Sequence, residues 1–150
     1  MGVSEIASFL RRHRSIALDT NPFIYQMQAH STYVALTNVV FVWIEDPRHQ
    51  AFTSTITMTE LLVHGYPEND QRKIDIFYSL LSRYPNLQWI PPDLKTADAA
   101  ARMRAMYNLR TPDAIQAATA LYSGATGLVT NDPAFMRVEG IETAVLDRYL

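Results

Sequence analysis

Short apolar stretches alternate with amphipathic ones along the chain, and several of the apolar stretches end at a carboxylate or another polar residue. Four to six consecutive residues with few charges are typical of short, largely buried strands, and the Ser/Thr alternation with apolar residues at 52–57 is strand-like too. On this pattern we predict strands at 15–19, 52–57, 87–90, 127–130 and 143–146.

The intervening segments carry helix signals. A short helix is expected from Ser4, where Ile6, Phe9 and Leu10 share one face, and a longer one from Asn69, as its N-cap. Further helices are predicted at 21–27, where Asn21-Pro22 supplies a cap and a first-turn proline, and at 59–64, 96–107 and 111–122. Segment 32–45 is ambiguous: its β-branched residues favour a strand, whereas its apolar spacing and its length favour a helix.

Strands that alternate with helices predict a three-layer α/β/α fold with a mostly parallel central sheet. The chain is 150 residues long, without repeats or a Gly/Ser linker, so we expect a single domain over 1–150, with 1–14 as an N-terminal helical extension. In a parallel sheet, ligands bind beyond the carboxyl ends of the strands. Side chains that follow the strands are therefore the first candidates for function.

Composition removes several classes of protein. The absence of cysteine excludes disulfide scaffolds and thiolate metal sites. Thirteen Lys and Arg against fifteen Asp and Glu, a net charge of −2, provide no global attraction to nucleic acid. The N-terminal residues hold no apolar signal core, and the longest apolar-rich run, 33–44, is too short to cross a bilayer. We therefore expect a soluble, cytoplasmic protein.

Four carboxylates lie at predicted element boundaries. Asp19 and Asp132 follow strands, and Glu60 and Asp113 fall in the first turns of helices. Each alone has a structural explanation, as a turn or cap residue or as a charge favoured by the helix dipole by about 0.3–1 kcal/mol. If the acids converge at one end of the sheet, their mutual repulsion favours a hard cation such as Mg²⁺ or Mn²⁺, which prefers oxygen ligands.

The local contexts of these acids resemble a known family. Ile16 to Tyr25 (IALDTNPFIY), Thr59-Glu60-Leu-Leu, Leu109 to Leu121 (LRTPDAIQAATAL) and Leu128 to Phe135 (LVTNDPAF) are similar, in order, to the motifs of PIN-domain ribonucleases. The nearest group is the VapC-like (virulence-associated protein C) toxins of type II toxin–antitoxin pairs. The resemblance extends over about 15–146, and the block around Asp113 is its most specific part.

This resemblance implies a PIN-like fold and a Mg²⁺- or Mn²⁺-dependent endoribonuclease that leaves a 5′-phosphate and a 3′-hydroxyl. Its metal ligands would be Asp19, Glu60, Asp113 and Asp132, in which Glu60 binds the metal or orients the attacking water. Supporting polar positions fall on Thr20 and Asn21 after the first acid, and on Thr130 and Asn131 before the last. The same resemblance implies an RNA substrate, a cognate antitoxin that occupies the cleft, and a homodimer.

The chain departs from the family pattern in two places. Many relatives have a further acid two residues after the last one, where this chain has Ala134, and the family often starts directly with its first strand. Here about fourteen residues come first, among them Arg11, Arg12 and Arg14. These arginines are either a solvated helix end, where cations suit the dipole, or an arm that contacts RNA phosphates.

Two other functions, a binding module and a phosphatase, fit the sequence less well. A PIN-like module could bind RNA or a protein without cutting, although such a module has little physical reason to keep four mutually repelling carboxylates. A haloacid-dehalogenase-type phosphatase would need a second acid two residues after Asp19, where Asn21 stands. The sequence therefore favours a metal-dependent nuclease.

Overall fold

The structure is a computed structural model that describes residues 2–150, so Met1, the first residue of the predicted extension, lies outside the described residues. Its centre is a five-stranded sheet in which every neighbouring pair is parallel. The strand order is β3-β2-β1-β4-β5. The strands are β1 (Ser15–Leu18), β2 (Gln50–Ser54), β3 (Leu87–Ile90), β4 (Gly127–Thr130) and β5 (Glu142–Val145).

Eight α-helices flank this sheet among the described residues. They are α1 (Gly2–Arg11), α2 (Thr20–Met27), α3 (Val34–Glu45), α4 (Ile56–Leu62), α5 (Gln71–Tyr78), α6 (Leu80–Arg83), α7 (Leu94–Tyr107) and α8 (Thr111–Ser123). Two 3₁₀ turns, Pro133–Arg137 and Leu146–Tyr149, follow β4 and β5. The ambiguous segment 32–45 is therefore a helix from Val34, as its length and spacing favoured.

Alternate residues of β1 point to opposite faces of the sheet and belong to different cores. Ile16 and Leu18 pack in a core completed by apolar residues of α1 to α6. Ala17 belongs to the other core, which α7 and α8 cover with small residues such as Ala100 and Ala117. Helices on both faces of a parallel sheet make the predicted three-layer α/β/α architecture, and the sheet is wholly rather than mostly parallel.

The strand predicted at 52–57 is wrong at its carboxyl end. β2 stops at Ser54 and α4 begins at Ile56, so Thr57 is helical. The hydroxyl of Ser54 accepts a hydrogen bond from the backbone N–H of Ile56 at 3.2 Å, which turns the chain out of the strand. Glu60 consequently lies in the middle of α4 rather than in its first turn.

Other helix starts shift by a residue or more. Asp19 rather than Asn21 is the N-cap of α2, and α1 already includes Ser4. Asp70, not Asn69, caps α5, where its carboxylate accepts from the backbone N–H of Lys73 at 3.1 Å. No helix within residues 2–150 is long and apolar enough to span a membrane.

Candidate active site

A cavity of about 380 Å³ opens at the edge of the sheet where β1 and β4 end. All four predicted acids and three of the four predicted supporting residues line it. The lining consists of Asp19, Thr20, Asn21, Ile24, Glu60, Val63, His64, Arg110, Asp113, Asn131, Asp132 and Pro133. Parallel strands bring their carboxyl ends to one edge, and this is why residues more than a hundred positions apart share the cavity.

Asp19 follows β1 directly and is 7% exposed. Its Oδ2 accepts a hydrogen bond of 2.8 Å from the Thr130 hydroxyl at the end of β4. Burial raises the pKa of the Asp19 carboxyl to about 6, although the Thr130 hydrogen bond acts in the opposite direction. The negative charges of Asp113 and Glu60 raise this pKa further. Asp19 thus sits in a pocket that disfavours its own negative charge.

Asp113 lies in the first turn of α8, which begins at Thr111 and has Pro112, with its fixed φ, in the same turn. It is also 7% exposed, and burial raises the pKa of its carboxyl. Arg110 opposes that shift: its Nε donates to Oδ2 of Asp113 at 3.0 Å and its Nη2 to Oδ1 at 3.4 Å. The neighbouring charge of Asp132 raises the pKa of Asp113, as repulsion between carboxylates requires.

Glu60 is held by a residue that the sequence placed in a supporting role. The Thr20 hydroxyl, in the first turn of α2, donates to Oε1 of Glu60 at 3.0 Å. Thr20 is buried, at 5% exposure, so its hydroxyl is a fixed anchor for the Glu60 carboxylate. The bond engages only Oε1 of Glu60. Thr20 and Thr130 therefore support Glu60 and Asp19 in the same way, each through its hydroxyl.

Asp132 acts partly as the cap that the structural explanation suggested. It is the N-cap of the 3₁₀ turn that starts at Pro133, and its Oδ1 accepts from the backbone N–H of Ala134 at 2.9 Å. Its own N–H donates to the hydroxyl of Thr130 at 3.0 Å. Capping does not remove Asp132 from the cavity; it orients the carboxylate at the cavity wall.

The two asparagines serve differently. Asn131 lines the cavity, but its amide is committed elsewhere: Nδ2 donates to the hydroxyl of Tyr25 at 3.0 Å, and Oδ1 accepts from the backbone N–H of Asp147 at 2.8 Å. It joins the end of β4 to the segment after β5. Asn21 lies on the cavity wall beside Thr20.

Arg110 is a residue of the cavity that the sequence reasoning missed. Its hydrogen bond to Asp113, together with the charges of Asp113, Asp132 and Glu60, raises the pKa of the guanidinium. Arg110 therefore pairs directly with Asp113 and also feels the negative charges of Asp132 and Glu60. The signal was present in the sequence, since an arginine three residues before an acid can pair with it across one helical turn. His64, two residues after the end of α4, was also missed as a lining residue.

The donor chemistry of the cavity suits a hard divalent cation. All four acids offer oxygen ligands, and burial together with neighbouring carboxylates raises the pKa of Asp19 and Asp113, so a bound cation would stabilise their ionised forms. No three acidic or histidine side chains of residues 2–150 already stand close enough together to enclose a metal ion. The types of residue present thus fit such an ion. In this structure Arg110 neutralises one of the four carboxylates, that of Asp113.

The predicted RNA-contact arginines lie at the other edge of the sheet, before β1. Arg12 forms an ion pair with Glu142 and donates to the backbone carbonyl of Ser8. Arg11 and Arg14 line a second cavity of about 400 Å³, which is otherwise lined by His13, Arg48 and His49. Strand β1 separates this basic cavity from the acidic one: Arg14 precedes the strand and Asp19 follows it, a rise of about 16 Å at about 3.3 Å per residue.

The sequence model of one protein family, described as the PIN domain, matches residues 16–141. No curated protein matches the chain.

Several solved structures share the fold. A chain in a DNA-bound VapBC structure from Salmonella typhimurium superposes with a TM-score of 0.68 at 21% identity, over 87% of this chain and 96% of that one. A chain of VapBC-1 from nontypeable Haemophilus influenzae superposes with a TM-score of 0.66 at 21% identity, over 89% of this chain and 98% of that one. A chain of VapBC2 from Rickettsia felis, bound to a promoter DNA fragment, superposes with a TM-score of 0.64 at 22% identity, over 87% of this chain and 97% of that one.

Proposed function

Because this chain belongs to the PIN domain family, we propose that it is a metal-dependent endoribonuclease and the toxin of a type II toxin–antitoxin pair. The observation that carries the proposal is the convergence of Asp19, Glu60, Asp113 and Asp132 on one cavity at the carboxyl edge of the sheet. A fold gains nothing from gathering four carboxylates, two of them with raised pKa values, unless the cluster serves a ligand.

The ligand proposed for these carboxylates is Mg²⁺ or Mn²⁺. When bound, such an ion neutralises phosphate oxygens and lowers the pKa of a water molecule. Asp19, Asp113 and Asp132 would hold it, directly or through water, and Glu60 would hold it or orient the attacking water. Thr20 and Thr130 keep Glu60 and Asp19 in place through their hydroxyls. Asn21 and Asn131 support the same two chain segments.

The proposed substrate is a phosphodiester bond of RNA, cleaved to leave a 5′-phosphate and a 3′-hydroxyl. Arg110 is suited to contact the phosphate, since its guanidinium reaches the carboxylates and its side chain is 74% exposed. A planar fork of N–H donors binds phosphate and carboxylate alike, so the arginine can exchange one for the other. The proposed location of this activity is the cytoplasm.

The proposed partners are a cognate antitoxin and a second copy of the chain. Support for the antitoxin comes from the structural neighbours, which are VapBC assemblies, among them two bound to DNA. A protein segment that fills the cavity would have to offer positive charge to the four acids, as Arg110 does within the chain. The homodimer rests on the resemblance of the sequence motifs alone.

The proposed role of the N-terminal extension is a secondary contact to RNA. Arg12 is committed to Glu142, whereas Arg11 and Arg14 face a cavity whose lining is entirely arginine and histidine. Arginines so arranged can hold backbone phosphates. Since this cavity lies about 16 Å of strand away from the acids, it would act only on RNA long enough to reach both edges.

Incubation of the purified protein with RNA tests the proposed function. We expect cleavage in Mg²⁺ or Mn²⁺, its loss in EDTA, and its return when the metal is restored in excess. Cleavage that survives chelation would contradict the metal dependence. Metal titration by calorimetry distinguishes the alternative, a PIN-like module that binds RNA or protein without nuclease activity, because such a module needs no metal.

A further inference from the structure

Beneath the acidic cavity lies a buried chain of hydrogen bonds that none of the proposed chemistry uses. Its members are Thr53 on β2, Thr57 on α4 and Gln116 on α8, each at most 1% exposed. Fully buried polar side chains are costly unless every donor has an acceptor, so their presence between apolar layers calls for a reason.

Every side-chain polar atom in this chain of bonds has at least one hydrogen-bond partner. The Gln116 amide donates from Nε2 to the hydroxyl of Thr57 at 2.8 Å. The hydroxyls of Thr57 and Thr53 are 2.7 Å apart, and Thr53 in turn donates to the carbonyl of Leu18 at 2.9 Å. The carbonyl oxygen of the Gln116 amide accepts from the backbone N–H of Ser54 at 2.8 Å.

The ends of this chain of bonds coincide with the elements that carry the acids. Gln116 lies three residues after Asp113 on α8, and Thr57 lies three residues before Glu60 on α4. Leu18, whose carbonyl receives the last bond, is followed directly by Asp19. A helical spacing of three places each polar residue one turn from the acid on its own helix.

Gln116 also provides side-chain hydrogen bonds that join α8 to β2 and to α4. The rest of the buried face of this helix is mostly alanine, among them Ala114, Ala117 and Ala118, each at most 1% exposed. Small apolar side chains allow the helix to approach the sheet closely but provide no directional contact. The two hydrogen bonds of 2.8 Å from Gln116, by contrast, restrict both the shift of α8 along its axis and its rotation about that axis.

We infer that Gln116 is a positioning residue: its side-chain amide ties α8 to β2 and α4 and thereby sets the spacing of Asp113 from Glu60 and Asp19. The inference rests on the proposed function for the meaning of that spacing. A displacement of about 1 Å in such a site is enough to lower activity. The hydrogen bonds of Gln116, one helical turn from Asp113, therefore control metal affinity and rate although Gln116 contacts neither metal nor RNA.

The test compares Gln116→Met with Thr119→Val. Met fills a volume similar to that of Gln but can neither donate to Thr57 nor accept from Ser54. Thr119 lies on the same helix and is 3% exposed, and its hydroxyl donates only within the helix, to the carbonyl of Ile115 at 2.8 Å. Both variants thus lose buried hydrogen bonds from α8, but only the first loses bonds that cross between elements.

For Gln116→Met we expect at least tenfold weaker Mn²⁺ binding, measured by electron paramagnetic resonance of the free ion, and at least tenfold lower kcat on RNA. KM should stay within threefold, because the phosphate contacts are untouched. Thr119→Val should match the wild type in all three. In the metal-free protein, amide hydrogen exchange should quicken across both 53–63 and 111–120 for Gln116→Met, and only within α8 for Thr119→Val.

Mn²⁺ affinity and kcat that are unchanged in folded Gln116→Met would overturn the inference, as would unchanged exchange over 53–63. If Gln116→Met does not fold, Thr57→Val breaks the same chain of bonds from α4 and must give the same pattern. A wild-type protein that neither binds Mn²⁺ nor cleaves RNA would contradict the proposed function instead. Hydrogen exchange needs no metal, so in that case it still tests whether Gln116 holds α8 against β2 and α4.

Discussion

Thr130 donates a hydrogen bond from its hydroxyl to Oδ2 of Asp19 at 2.8 Å, although 111 positions of the chain separate the two residues. They meet because β1 and β4 are adjacent and parallel, with Leu18 opposite Val129, so that both strands end at the same level. The Thr130 hydroxyl also accepts from the backbone N–H of Asp132 at 3.0 Å. One buried hydroxyl therefore orients two of the four acids.

Thr130→Val should raise the pKa of Asp19 above about 6, because the lost hydrogen bond favours the ionised carboxylate. It should also cost about 1–3 kcal/mol in the free energy of unfolding, since the N–H of Asp132 loses its partner. NMR titration of the metal-free protein measures the pKa, and urea unfolding measures the stability. Thr143→Val, on β5 and outside the cavity, is the control; an Asp19 pKa that stays the same in Thr130→Val would contradict the assignment.

Asp113→Asn should abolish RNA cleavage and leave the fold intact. The amide keeps the shape of the side chain and can still accept from Arg110, but it removes the negative charge that the proposed metal site needs. We expect the free energy of unfolding to change by no more than about 1 kcal/mol, since the ionised carboxylate is itself disfavoured by burial. Cleavage assays and circular dichroism check the two parts.

The matched control for this variant is Asp98→Asn. Asp98 forms an exposed ion pair with Arg102 on α7, away from the cavity, so its loss should alter neither cleavage nor folding measurably. If Asp113→Asn cleaves RNA at the wild-type rate, Asp113 has no part in the reaction.

Asp19 should destabilise the metal-free protein at neutral pH. Its pKa is raised from 3.8 to about 6 in the folded state, so between these values the folded protein binds more protons than the unfolded chain. The stabilising contribution of the protonated carboxyl is complete below about pH 4 and is lost as the pH rises through about 6. Two pKa units correspond to about 3 kcal/mol.

Asp19→Asn removes this titration. In urea unfolding without metal, the variant should therefore gain stability over the wild type as the pH is raised from 4 to 7.5, by up to about 3 kcal/mol. Saturating Mn²⁺ should reverse the order, because only the wild type keeps the complete set of carboxylates. A difference that does not vary with pH would show that the Asp19 carboxyl has its ordinary pKa.

Arg11→Gln combined with Arg14→Gln should weaken binding to long RNA and make it less dependent on salt. Each lost phosphate contact reduces the slope of log K against log salt by about 0.7–0.9, so the pair should reduce it by about 1–2. Binding isotherms over a salt series measure the slope. Short oligonucleotides that fill only the acidic cavity should be bound and cleaved as by the wild type.

Arg83→Gln combined with Arg102→Gln removes the same charge from α6 and α7, and it should leave the slope for long RNA unchanged. Equal slopes for the two double variants would show that the basic cavity before β1 has no specific role in binding RNA.

Much of the fold follows from local sequence. The strands at 87–90 and 127–130 were predicted at their observed bounds, because each is a short apolar run with a clear stop, at Pro91 and Asn131. The boundary after β2 was missed because Ser and Thr suit a strand and a helix start equally. What decides it is the bond from the Ile56 N–H to the Ser54 hydroxyl, together with the burial of Thr57 against α8.

That the four acids line one cavity could be predicted from the distinctive motifs around them; Asp19, Asp113 and Asp132 also stand at element boundaries, whereas Glu60 lies within α4. Arg110 could have been found from its spacing to Asp113. Gln116 could not, because its partners Ser54 and Thr57 lie 62 and 59 residues away in the chain and meet it only once α8 packs on β2. Contacts of this kind depend on sheet order, and local pattern carries no information about it.

The central place of β1 in the sheet also means that the site is divided between the two halves of the chain. Asp19 and Glu60 come before β3, whereas Asp113 lies on α8 and Asp132 follows β4, which returns to the other side of β1. A backbone cut in the exposed Pro92–Asp93 segment would leave two fragments, each with two of the four acids and neither with a complete site. On the proposed function, neither fragment alone should cleave RNA, and their reassembly could be followed through restored cleavage, as in a split-enzyme reporter.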